Sequence, residues 1–88
     1  MKIFISHAIK DAELIENIKV YLEPHNIDLL IAEHYIDTQN TITHKIENMI
    51  KVCDVALFLL TENGFNSHFV HQEIGYIQSL KKPMLQLV

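Results

Sequence analysis

The residues best suited to chemistry in this 88-residue chain gather in its last third. Phe69 and Glu73 stand four apart, a spacing that puts an aromatic ring and a carboxyl group on one face of a helix. An aromatic beside a carboxylate desolvates the acid and raises its pKa, as acid and base groups in active sites require. The plainer alternative makes Phe69, Ile77 and Leu80 core residues and leaves Glu73 a half-exposed helix charge. Ser67 stands just ahead, able to cap that helix or to meet a ligand. His68 and His71, three apart, could share a metal if His7 or His34 supplied a third ligand, but surface or satisfied histidines are far commoner, and no metal is expected. Cys53 is the single cysteine, excludes an intrachain disulfide, and reads as a small hydrophobe with no evident base to activate it. With only two glycines the chain can build neither a P-loop nor a glycine-rich dinucleotide turn, and no cofactor is expected.

Bulk properties narrow the classes further. Apolar residues make up 49% of the chain and charged residues 20%, the balance of a globular domain. The net charge is −4, and Lys81-Lys82 is the one adjacent basic pair, so a nucleic-acid partner is not expected. The longest apolar run, residues 55–60, falls far short of the ~20 residues of a membrane helix. No membrane association is expected, and without a signal-peptide pattern at Met1 the chain reads as cytoplasmic.

Alternating elements must position these residues. Ile3-Phe4-Ile5 reads as a buried strand ending at Ser6-His7. Asp11 is placed to cap a helix over residues 11–23, on the spacing of Ile15, Ile18 and Leu22. Pro24 ends it, and Asn26 suits a left-handed turn. Residues 27–32 form a second strand, and 33–40 a polar loop. Ile42, Ile46, Met49 and Ile50 mark a second helix, and residues 55–60 the central strand, buried on both faces. Asn63-Gly64 signals a turn, Asn66 or Ser67 caps a third helix to about Leu80, and residues 84–88 form a last strand at the sheet edge. The βαβαβαβ order predicts an α/β, flavodoxin-like three-layer sandwich with a parallel sheet of strand order 2-1-3-4. Ligands then bind beyond the carboxyl ends of strands one and three, where Ser6, His7, Ala8, Thr61, Glu62 and Asn63 arrive.

The motifs in their order resemble one family. Ile3-Phe4-Ile5-Ser6-His7-Ala8 with Lys10-Asp11 looks like the opening strand and loop of bacterial and archaeal TIR (Toll/interleukin-1 receptor) domains. Ile31-Ala32-Glu33-His34 resembles their second strand and BB loop, and Cys53-Asp54 before Leu59-Leu60-Thr61 their third strand. Ser67-His68-Phe69-Val70-His71-Gln72-Glu73 is similar to the family's Ser-x-Trp-x-x-x-Glu signature, with Phe69 in the tryptophan place; Gly75-Tyr76 and Lys82-Pro83 continue the likeness. The BB-loop region, residues 35–41, departs from the family in lacking its usual glycine or Pro-Gly. The resemblance also implies a single domain over residues 1–88 that lacks the last strand and helix of a full TIR domain.

What the resemblance implies is cleavage of NAD⁺, as substrate, at the nicotinamide–ribose bond, with hydrolysis or cyclisation of the ADP-ribose product in antiphage defence signalling. Glu73 matches the family's catalytic position; Ser6, His7, Glu33, His34, Ser67 and Phe69 are the expected substrate contacts. Homotypic self-association is expected too. The alternatives are a non-catalytic TIR interaction module and, third, a nucleoside deoxyribosyltransferase-like enzyme, which also uses a glutamate.

Overall fold

A computed structural model describes residues 1–31 and 44–87. Four parallel strands form one sheet in the order β2-β1-β3-β4: β1 (Lys2–Ser6), β2 (Asp28–Ile31), β3 (Val55–Leu59) and β4 (Met84–Leu87). Helices α1 (Ala12–Leu22), α2 (His44–Val52), the single turn α3 (Glu62–Phe65) and α4 (His68–Ser79) lie between them. The expected α/β architecture and strand order are those observed. Among the described residues no helix is long and apolar enough to cross a membrane.

Strand alternation divides the core into two layers. Phe4, Ala56 and Phe58 face α2 and α4, which supply Ile46, Ile50, Val70 and Ile77. Ile5 and Leu59 face the other way, against Ile15 and Ile18 of α1. The two inner strands are thus apolar on both sides, the residue pattern a parallel sheet demands. Coverage of β3 is nonetheless incomplete. Leu57 is half-buried, because α1 reaches across β1 but leaves a groove of about 380 Å³ between itself and β4, lined by Ile18, Tyr21, Leu22, Leu57 and Leu87. On the edge strand Leu85 and Leu87 are 61% and 48% exposed.

Local signals explain most boundaries. Pro24 closes α1 through a 3₁₀ turn (Glu23–His25), and Asn26 follows in the left-handed region at φ 57°. Ser67 caps α4, its Oγ accepting from Val70 N at 3.3 Å. At the other end Lys81 takes the left-handed position (φ 56°), with Lys81 N bonding Gln78 O and Lys82 N bonding Ile77 O, the paired closure usually served by glycine. Lys82 then reaches across to α2, donating from Nζ to Cys53 O at 2.8 Å and to Lys51 O, a cation on carbonyls at a helix carboxyl end.

One expectation is overturned. Asn63-Gly64 is not a free turn but the middle of α3, because Thr61 Oγ1 accepts from Gly64 N at 3.1 Å and caps a helical turn there. Gly64 is needed for closeness rather than for turn geometry: a Cβ would lie 2.0 Å from the backbone oxygen of Leu59. At Gly75, in contrast, a Cβ would meet nothing within 4 Å. Gly75→Ala should therefore stabilise the fold by ~0.5–1 kcal/mol through helix propensity, while Gly64→Ala should destabilise it by ~2 kcal/mol or more. Urea unfolding of the two variants checks both signs at once.

Candidate functional site

The site forms where β1 and β3 end side by side. In their register Ile5 lies opposite Leu57 and Ser6 opposite Phe58, so the segments that follow emerge together. From β1 come His7, Ala8 and a 3₁₀ turn (Ile9–Asp11); from β3 come Thr61 and α3.

Asp11 ties the two exits together. Its Oδ2 accepts from Thr61 Oγ1 at 2.5 Å and its Oδ1 from Asn63 Nδ2 at 3.1 Å. The sequence places Asp11 as the cap of α1, and it does hold the capping position, but its side chain makes no capping bond. The Ala12 N–H already bonds Ile9 O, and residues 13 and 14 are exposed, so water can serve theirs, whereas the buried carboxylate has two directed donors across the crevice.

Glu73 belongs to the buried face of α4, between Val70 and Ile77, and is 1% exposed. The half-exposed helix charge of the plainer reading is therefore not what this chain has. Ser6, itself fully buried at the end of β1, donates its hydroxyl to Glu73 Oε1. Burial in the core raises the Glu73 pKa from 4.5 to about 8, against the opposing effect of the Ser6 bond, which favours the charged form. Within a sheet-and-helix core this is a carboxyl that titrates near neutral pH, in the range where a group can serve as either acid or base.

A cavity of about 430 Å³ opens past the ends of β1 and β3, lined by the Ala8–Lys10 segment, by Glu62 and Asn63 of α3, and by Asn66, Ser67 and Phe69; Ser6 and Glu73 are not in its lining. Its walls mix one cation, one carboxylate and two amides with apolar surface. Phe69 is half-buried on its wall, one helical turn ahead of Glu73. Of the residues singled out in the sequence, Ala8, Glu62, Asn63, Ser67 and Phe69 line the cavity, Ser6 and Glu73 bond each other in the core, and His7 is buried next to Ser6. Glu33 and His34, with the BB-loop region, lie outside the described residues. The sequence signals did not single out Lys10 or Asn66 as cavity residues: Lys10 entered only through the Lys10-Asp11 motif, and Asn66 only as an alternative cap of the last helix.

His71 Nε2 bonds the carbonyl of Phe65, tying α4 to α3, and His68 is exposed. Among the described residues no three His, Cys, Asp or Glu side chains come together as a metal would need. Cys53 is buried with its thiol donating to Ile50 O at 3.1 Å, and burial pushes the thiol pKa up, away from the reactive thiolate.

A raised carboxyl pKa makes stability depend on pH in a definite direction. Between pH 4.5 and about 8 the folded state keeps the Glu73 proton and the unfolded chain loses it, so folding takes up a proton. Stability from this group is fully present below pH 4.5 and is lost as the pH rises through 8. Urea unfolding of wild type and Glu73→Gln at pH 5 and 8.5 should differ accordingly: the wild type loses on the order of a few kcal/mol more than the variant on going to the higher pH.

The sequence matches the model of the TIR domain family over residues 3–87. Among curated proteins none matches it significantly. The fold is similar to that of the TIR domains in the structure of the activated Roq1 resistosome directly recognizing the pathogen effector XopQ, with a TM-score of 0.81 at 13% identity. That likeness covers 97% of this chain and 55% of the other, so the chain spans about half the length of the one it resembles. With the family model matched along nearly all of its length and the family's sheet order in its core, this chain belongs to the TIR domain family.

Proposed function

We propose that the protein is an NAD⁺ glycohydrolase of prokaryotic TIR type, releasing nicotinamide and either hydrolysing or cyclising the ADP-ribose that remains. The observation that carries this reading is Glu73: a carboxyl at the signature position, buried, with a pKa raised to about 8, one helical turn along α4 from Phe69 in the wall of a polar cavity. Nicotinamide leaves a cationic centre as a neutral molecule, so the reaction needs no acid on the leaving group, unlike ordinary glycoside hydrolysis with its two carboxyl groups. One carboxylate then suffices, stabilising the positive charge that develops on the ribose or holding the ribose hydroxyls. In this arrangement Phe69 and Ser67 meet the nicotinamide end, and the ribose inserts past Phe69 to reach Glu73. The proposed setting is cytoplasmic defence signalling.

Removing a single group of this kind costs ~10²–10³ in rate. Glu73→Ala should lower nicotinamide release by at least ~10² with folding retained. Because the ionised carboxylate is the working form, wild-type kcat/KM should rise about tenfold per pH unit below pH 8 and level off above it. Equal release by both proteins would remove the catalytic reading.

A second reading, a homotypic interaction module without chemistry, is favoured by one observation. The edge strand β4 exposes Leu85 and Leu87 beside an apolar groove, and open apolar edges pair with other chains. The TIR domains of the Roq1 structure are themselves those of an activated resistosome. Measuring release across a range of protein concentrations separates the readings: turnover that grows faster than concentration joins assembly to catalysis, and association without turnover favours the module.

A further inference from the structure

Ser6 and Glu73 occupy positions that strand and helix periodicity assign to the core. Phe4 faces α2 and α4, and Ser6, two residues on, points to the same side. On α4, Val70, Glu73 and Ile77 share one buried face. A serine and a glutamate thus stand where two apolar residues would pack, and their hydroxyl and carboxyl groups meet. Burying such a pair costs desolvation that an apolar pair of similar volume would avoid, so packing alone gives no reason for it.

We propose that Ser6 is the positioning residue for Glu73: its hydroxyl, held at the carboxyl end of an inner strand, clamps one carboxyl oxygen and keeps the side chain in one orientation on the buried face of α4. Glutamate has three rotatable side-chain bonds, and an unclamped carboxyl would lose its alignment with anything entering the cavity. Ser6 can serve as a rigid anchor because β1 is paired on both sides, with β2 and β3. The clamp acts on charge as well as orientation, since a hydroxyl donor bonds a carboxylate more strongly than a neutral acid. Among the described residues the titratable groups on the surrounding elements are Lys2 on β1, His7 after it, Lys10 and Asp11 on the 3₁₀ turn, His44, Lys45, Glu47 and Lys51 on α2, Glu62 on α3, and His68, His71 and Tyr76 on α4; burial raises the Glu73 pKa and the Ser6 bond opposes it.

The functional consequence rests on the NAD⁺ reading, but the clamp is testable without it. Carbon-13 NMR of glutamate-labelled protein, with the Glu73 signal assigned by its loss in Glu73→Gln, follows the titration directly. Ser6→Ala should move the Glu73 midpoint up by about one pH unit, the differential worth of a charge-assisted hydrogen bond, and Ser6→Thr should restore it. An unchanged midpoint in folded Ser6→Ala overturns the clamp. Should Ser6→Ala not fold, the deuterium isotope shift passed from the Ser6 hydroxyl to the Glu73 carboxyl carbon in the wild type gives the answer, and its absence overturns the proposal. Where NAD⁺ is cleaved, the pH profile of kcat/KM should move up with the midpoint, leaving about a tenfold loss at pH 7 that shrinks at higher pH. A shifted midpoint with no nicotinamide release from any variant supports the clamp and removes the NAD⁺ reading. Full activity with an unmoved midpoint does the reverse.

Discussion

The parallel pairing of β1 with β3 is the constraint on which the rest of the molecule depends. These two strands are far apart in sequence, yet they are the inner pair of the sheet, and parallel neighbours must be joined by long crossovers. Once paired, they need cover on both faces, which α1 supplies on one side and α2 with α4 on the other. The same pairing brings two chain exits to one end, so a crevice forms there without further design. Asp11, bonded to Thr61 and Asn63, is the tie that fastens those exits.

The second feature is a conflict between stability and use. A core stripe on α4 that would be most stable as three apolar residues carries Glu73 in its middle, and β1 carries Ser6 to meet it. Burial keeps that carboxyl protonated far above the ordinary carboxylate range. Buried polar pairs of this kind are weak contributors to stability and strong determinants of local geometry. Local disagreement with the folding pattern is what a functional position looks like from the standpoint of packing.

Much of the architecture was legible in the sequence. Strands were apolar runs too short for helices, helices showed three-and-four spacing, and Pro24, Asn26 and Ser67 marked ends through local hydrogen bonding and backbone preference. The errors came where a distant partner competes with a local signal. Asn63-Gly64 carries turn residues, but Thr61 caps it into a helix and the Leu59 carbonyl leaves room only for glycine at position 64. Asp11 holds a capping position, but donors from the other strand exit claim its carboxylate. Lys81 stands in a left-handed position that nothing in its type announces; the closing hydrogen bonds of α4 impose it.

The candidate site divides along the same line. Residue types and order alone determined the family likeness, the sheet order, and the placement of Phe69 and Glu73 on one helical face, because these follow from periodicity and from motifs confined to single segments. Only the tertiary structure decided that Glu73 is buried rather than half-exposed, that Ser6 turns inward to bond it, and that Lys10 and Asn66 line the same cavity as Phe69. A carboxyl group's hydration depends on what other elements lie over it. A hydroxyl's partner can be 67 positions away along the chain. Such pairings follow from how strands and helices stack, and no local spacing encodes them.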